Sequence, residues 1–152
     1  MTGVPRQGRL AGVDYGTVRI GLAICDPGQK WASPFENYTR RTLSLDADFF
    51  RKFVQREQIV GLVVGLPVHG DGSESQKSQE ARKFAAWLAE LTALPVQMYD
   101  ERYTSLLAEQ YLAEGQLTKK QRKARLDMLA AQILLASFLE SSERGTGASS
   151  LS

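Results

Sequence analysis

Cysteine and histidine are nearly missing from this 152-residue chain, which has one of each, Cys25 and His69. A single cysteine excludes a disulfide framework and a multi-cysteine zinc site within the chain. With one histidine, any histidine-based nucleophile relay rests on His69 alone. Long hydrophobic runs are also missing. No stretch approaches the roughly 18 apolar residues of a membrane span, and no basic-then-apolar leader opens the sequence. Neither a membrane partner nor export is expected, and the cytoplasm is the expected location. Charge of one sign is not in large excess: 19 Lys and Arg face 17 Asp and Glu, a formal net charge of +2. That balance does not by itself identify a nucleic-acid partner, so the placement of the charges has to be read. What is present, 43% hydrophobic and 24% charged residues, suits one soluble domain with its own core.

Along the chain, strands come first and then alternate with helices. "GVDYGTVRIGLAICD" predicts two strands, Leu10–Asp14 and Arg19–Cys25, joined by a tight turn over residues 15–18. Asp26-Pro27-Gly28 marks the next turn, and a short third strand is expected near Pro34–Tyr38. Phe49, Phe50, Phe53 and Val54 have helical spacing over Asp46–Glu57. "IVGLVVGLP", Ile59–Pro67, is a continuous apolar run rich in β-branched residues, as expected of a parallel strand buried on both faces. A Gly-containing loop follows, Val68–Ser75. A helix is then expected over Ser75–Leu91, a strand over Pro95–Tyr99 and a helix over Ser105–Ala113. Glu114–Arg125 reads as a basic connector and Arg125–Glu140 as the last helix. The expected domain is 8–141, with 1–7 and 142–152 as flexible tails, the latter being poor in apolar residues. This order suggests a mixed sheet covered by helices.

Three acids stand in unexpected places. Asp14 occupies a position where its strand is still apolar, although Asp is disfavoured in strands. Glu101 follows the strand "VQMYD", at the carboxyl end where open α/β sheets bind ligands. Asp127 shares a helical face with Ala130, Ala131 and Leu134. Each has a plain alternative: Asp14 as a turn cap, and Glu101 and Asp127 as acids in the first turn of a helix. Together they fit one mechanism. Carboxylates crowded above a sheet repel one another unless a cation neutralises them, and hard oxygen ligands suit Mg²⁺ or Mn²⁺. Two such ions about 4 Å apart can activate water and stabilise the leaving oxygen of a phosphodiester. Asp14, Glu101 and Asp127 are therefore the expected catalytic and metal-holding residues.

With these residues in view, the chain resembles the YqgF/RuvX family of RuvC-like nucleases. The blocks that carry the resemblance are "GVDYGTVRIGLAICD", "VVGLPVHGDGSES", "YDERYTS" and "RKARLDMLAAQILLASFLE", in that order, spanning about Leu10 to Glu140. The resemblance implies an α/β, RNase H-like fold: a five-stranded mixed sheet, its first three strands antiparallel, with helices on both faces. It implies a metal-dependent endonuclease acting on structured nucleic acid, and its acids fall on Asp14, Glu101 and Asp127. Members are described as Holliday junction resolvases or as nucleases that mature the precursor of 16S ribosomal RNA. Branched DNA and precursor rRNA are thus the two expected substrates. The loop after "GLP" often carries Asn in the family where this chain has His69.

Further candidates concern the nucleic acid. Arg19, His69 and Arg102 lie beside the proposed centre and are candidate phosphate contacts. The plain readings are an outward strand residue, a solvated loop histidine and a partner for Asp100. The run "KKQRKAR" supplies Lys119, Lys120, Arg122, Lys123 and Arg125, either as a solvated face or as a salt-dependent, sequence-independent contact to phosphates. Tyr15 and Tyr103 flank two of the acids and are weak candidates for stacking on a base. Cys25 reads as a small core residue.

Two other functions compete. "DYGT", Asp14–Thr17, also fits the phosphate-holding turn of actin-like and sugar-kinase-like proteins, but those clamp a nucleotide between two such domains and this length suits one. A noncatalytic nucleic-acid-binding module would keep the basic run without needing three acids. Symmetric cutting of a junction favours a two-fold homodimer, whereas trimming an RNA end makes no such demand.

Overall fold

A computed structural model describes residues 3–67, 75–101 and 119–141, over 119–127 as backbone only. The elements run β1 (Arg9–Asp14), β2 (Arg19–Cys25), β3 (Ala32–Thr39), α1 (Leu43–Arg56), β4 (Ile59–Leu66), α2 (Gln76–Thr92), β5 (Val96–Asp100) and α3 (Lys119–Glu140). The strands form one five-stranded sheet in the order β3-β2-β1-β4-β5. Its first three strands pair antiparallel, while β4 pairs parallel with both β1 and β5. The expected mixed sheet is what forms.

Alternation along the strands divides the interior into two layers. Ala11 and Val13 of β1, Leu62, Val64 and Leu66 of β4, and Val96 and Met98 of β5 pack with Phe50, Phe53, Phe84 and Leu88 of α1 and α2. On the other face, Leu10 of β1 and Val63 of β4 pack with Ala131, Leu135 and Phe138 of α3. The face therefore follows from parity. Gly12 and Asp14 share the α3 side with Leu10, Gly65 shares it with Val63, and Glu101 continues the alternation of Gln97 and Tyr99.

Close packing of α3 depends on Gly12. A Cβ there would stand 2.8 Å from the Ala131 carbonyl oxygen and 2.9 Å from Leu135 Cβ, distances that no side chain tolerates. The bare strand lets the helix lie directly on β1.

Most sequence boundaries shift by a few residues, as fraying ends do. β3 runs over Ala32–Thr39 rather than Pro34–Tyr38. Helix α1 starts at Leu43, where Thr42 caps it by accepting from the Leu45 N–H at 3.2 Å. Ser75 caps α2 in a reciprocal box with Ser78, a pairing that satisfies two otherwise orphaned N–H groups. The larger correction is α3. Its helix begins at Lys119, inside the segment read as a basic connector. Lys, Arg, Gln and Ala are good helix formers, so positive charge did not mark a loop. The expected helix over Ser105–Ala113 lies outside the described residues.

Two side-chain features tie the termini of β3 and α1 together. Asp46, 1% exposed, accepts from Tyr38 Oη at 2.6 Å, from the Arg41 N–H at 2.9 Å and from Arg40 Nε at 3.3 Å. Burial raises the Asp46 carboxyl, but these donors outweigh it and hold the group below the usual carboxylate range. Arg40 also donates to Tyr15 Oη at 3.3 Å and lies over the Tyr15 and Phe84 rings. Tyr15 itself packs against Phe84, ring centroids 4.8 Å apart. Its ring thus packs into core and cation contacts while remaining half-buried. Cys25 is buried and its sulfur accepts from the Leu10 N–H at 3.1 Å, as suits a core residue.

Candidate active site

Asp14 ends β1 and Glu101 directly follows β5, yet these strands are not neighbours, because β4 runs between them. Two strand spacings, about 10 Å, separate them. Gly65 of β4 closes that gap. A Cβ on Gly65 would stand 3.0 Å from both Cγ and Cδ of Glu101 and closer still to its Oε1. The Glu101 side chain therefore lies across the bare backbone of β4, and its carboxyl shares a hydrogen bond with that of Asp14.

The electrostatics follow from this contact. Burial is the largest influence on Glu101. The Asp14 carboxylate, the hydrogen bond to it and, more weakly, Asp100 act in the same direction, while Lys77 opposes them. Together they push the Glu101 carboxyl from 4.5 up to about 8. Two acids held this way near neutral pH share a proton unless a cation takes its place. The donors are hard carboxylate oxygens, which is what Mg²⁺ and Mn²⁺ prefer, so the pair fits a divalent ion.

The third expected acid is on the helix that packs on this side of the sheet. Asp127 lies on α3, one turn before Ala131, the residue whose carbonyl approaches Gly12. Its side chain is outside the described residues. The helix starts at Lys119, about two turns earlier, so Asp127 is not in a first turn and the helix-dipole explanation of it falls away. Among the described residues, no group of three metal-ligating side chains is present.

The remaining candidates divide in the same way. Arg19 is exposed at the start of β2 and lines a cleft of about 380 Å³ between residues 15–19 and the first turns of α2. Lys119, Lys120, Arg122, Lys123 and Arg125 lie on α3, with side chains outside the described residues. His69 and Arg102 lie outside them altogether. Two residues were missed in the sequence. Gly65 was readable only as part of an apolar run. Lys77 is a cation in the first turn of a helix with no acid there, against the usual preference, and that signal was available.

The pairing of Glu101 with Asp14 makes two predictions. Gly65→Ala places a methyl where the Glu101 side chain lies. Because that side chain can swing away, the fold survives with thermal stability near wild type, and cleavage falls by at least about 100-fold, a loss of about 3 kcal/mol in the transition state. Activity within threefold of wild type would show that Glu101 does not need this path.

The second prediction is a pH dependence of the metal-free protein. A raised carboxyl pKa means that the folded chain keeps a proton that the unfolded chain releases near 4.5. The associated stability is complete below that value and is lost as pH rises towards about 8. In EDTA, the melting temperature should fall across this window by at least about 3 °C more than in Glu101→Gln. Equal slopes for the two proteins would contradict the shared-proton pair.

A mixed sheet in this strand order, with paired carboxylates at the carboxyl ends of two parallel strands and a long covering helix, is the RNase H-like class of fold. The comparisons agree and narrow the class. The family model described as "RuvX: Holliday junction resolvase" matches residues 8–141, and the chain belongs to that family of nucleases. A protein of Rhodopirellula baltica named "Putative pre-16S rRNA nuclease" is 54% identical over 138 residues, covering 91% of this chain and 80% of that protein. A relative with the same name from Zymomonas mobilis is 42% identical, covering 91% of this chain and 84% of its own length. Among solved structures, Thermus thermophilus RuvC in complex with a Holliday junction substrate has a TM-score of 0.59 at 15% identity, covering 90% of this chain and 98% of that one. That likeness is one of fold.

Proposed function

We propose that this nuclease is a metal-dependent endonuclease that hydrolyses a phosphodiester in the precursor of 16S rRNA. The observation that carries the metal site is Glu101 reaching across Gly65 to Asp14. Asp14, Glu101 and Asp127 would hold Mg²⁺ or Mn²⁺, with room in the chemistry for two ions. When bound, such an ion lowers the pKa of water and neutralises charge at the scissile phosphate. The chain's own groups do the rest. On binding an ion, Asp14 and Glu101 would release their shared proton to solvent and would hold the ion from two strands of one sheet, while α3 covers that face of the sheet. Arg19, and beyond the described residues His69, Arg102 and the Lys119–Arg125 run, would take the phosphates of the substrate. The RNA substrate is supported by the names of the relatives in Rhodopirellula baltica and Zymomonas mobilis.

A second reading, cleavage of four-way DNA junctions, is favoured by the family description. It requires two copies of the chain related by a two-fold axis. Either substrate suits a cytoplasmic protein.

The test offers precursor 16S RNA ends and four-way DNA junctions side by side, with Mg²⁺ or Mn²⁺ and with EDTA. Metal-dependent cutting of the RNA ends by a monomer supports the first reading. Symmetric cutting of the junction by a dimer replaces it with the second. Cutting that persists in EDTA would overturn metal dependence. Calorimetric titration of Mn²⁺ should give measurable heat with wild type and none with Asp14→Asn.

A further inference from the structure

Helix α1 carries two stripes. Asp46, Phe50 and Phe53 are buried. Beside them, Leu45, Asp48, Phe49, Lys52 and Arg56 recur at i, i+3, i+4, i+7 and i+11, so they share a second face. That face lines a groove of about 350 Å³, whose other wall is Phe35 and Glu36 of the edge strand β3. Leu45 is 41% exposed and Phe35 36%, so both walls present apolar surface to water.

Strand β3 is a poor template for a further strand. Pro34 offers no N–H, and the register shifts so that Glu36 faces Leu22 while Pro34 faces Ala23, leaving Phe35 in a bulge. Both features blunt a sheet edge. Main-chain pairing is disfavoured, and side chains are what the groove can take. Its rings are engaged with one another. Phe49 stacks on Tyr38 with centroids 3.9 Å apart, and Phe35 tilts onto Phe53 at 5.0 Å. A nucleobase stacks on a free ring face, so this floor suits aliphatic groups better than bases.

The rim has a charge pattern of its own. Two of its acids are already paired with cations outside the groove, Asp48 with Arg51 and Glu57 with Arg9, each at 3.5 Å. Among the described residues, no ion pair engages Lys52, Arg56 or Glu36. Arg41 adds a third cation, its guanidinium over the Tyr38 ring. The unmatched charge of the rim is therefore mainly positive. Lys52 and Arg56 stand one helical turn apart, a spacing of about 6 Å, which two carboxylates one turn apart on another helix would match.

We propose that the groove between α1 and β3 is a docking site for an acidic amphipathic helix of a partner protein. Its aliphatic side chains enter between Phe35, Leu45 and Phe49, and its carboxylates meet Lys52 and Arg56. The groove lies on the α1 side of the sheet, whereas Asp14 and Glu101 lie on the α3 side, so docking leaves the paired acids uncovered. The site does not depend on what those acids do.

The test uses the full chain, ¹⁵N-labelled, and three synthetic peptides of about 15 residues. The first has leucines at helical spacing flanked by glutamates four residues apart. The second has lysine for each glutamate, and the third has serine for each leucine. The first peptide should give saturable shifts confined to β3 and α1, with a Kd below about 1 mM, and the other two should bind at least about fivefold more weakly. Lys52→Glu/Arg56→Glu should weaken the first peptide at least about fivefold and strengthen the second. Lys52→Gln/Arg56→Gln should fall between, and Leu45→Asp should lose both. All variants should cleave at the wild-type rate, which also shows that they fold. No saturation, shifts elsewhere, or a glutamate peptide indifferent to the charge reversal overturns the proposal. So does a single-stranded RNA that shifts the same resonances more tightly, which would make the groove a nucleic-acid surface. Sedimentation showing a dimer that Leu45→Asp dissociates would assign the groove to a second copy and overturn it as well.

Discussion

Asp14→Asn should cut its nucleic-acid substrate at least about 1,000-fold more slowly than wild type, equivalent to about 4 kcal/mol of lost transition-state stabilisation. The exchange keeps the shape of the side chain, turns one acceptor oxygen into an NH₂ donor and removes the charge. Asparagine can still bond Glu101, and the repulsion that sets in once Glu101 ionises, at about pH 8 and above, is gone, so at that pH metal-free Asp14→Asn should melt at or above the wild-type temperature. That combination separates this position from a structural one, because a site that stores repulsion gains stability when it is disarmed. The measurement is initial cleavage rate beside a melting curve in EDTA. Cleavage within tenfold of wild type would remove Asp14 from the centre. Lost activity together with a large drop in melting temperature would recast it as a structural residue.

Asp46→Ala carries the largest expected effect on stability, a loss of about 3 kcal/mol. For a chain of this size that lowers the melting temperature by roughly 6–12 °C. Three donors converge on this one buried carboxylate: Tyr38 Oη, the Arg41 N–H and Arg40 Nε. Alanine leaves all three without their acceptor. Asp46→Asn keeps an oxygen for Tyr38 and the Arg41 N–H but loses the charge that faces Arg40, so its cost should fall between alanine and wild type. Because the carboxyl is held below its usual range, the stability it provides is present at neutral pH and is lost as pH falls through that depressed value. Denaturant titration of the three proteins checks the ranking. Asp46→Ala within about 0.5 kcal/mol of wild type would show that the cluster contributes nothing net. Arg40 links this cluster to Tyr15, next to Asp14, so a partial fall in activity should accompany the loss of stability.

Period-two alternation in β1 and the apolar run of β4 were readable, because burial on one or both faces dictates side-chain type at each position. The caps of α1 and α2 confirm that helix starts are written locally, in Thr42 and in the Ser75/Ser78 pair. The start of α3 was misread, because basic residues carry no stop signal and a helix continues until something ends it. The contacts of Tyr15 were not legible for a different reason. Its partners, Arg40 and Phe84, are 25 and 69 positions away in the chain, and nothing local announces them. Lys77 left a trace that was passed over, a cation where the helix dipole disfavours one.

The amino-acid order alone determined the class of fold, the two-sided core and which acids were out of place, since each of these depends on near neighbours and on solvent. Only the folded sheet decided that Asp14 and Glu101 meet. Their strands are separated by a third, and contact requires the one residue between them to lack a side chain. That condition couples three distant positions through space, where a one-dimensional pattern of hydrophobicity carries no information.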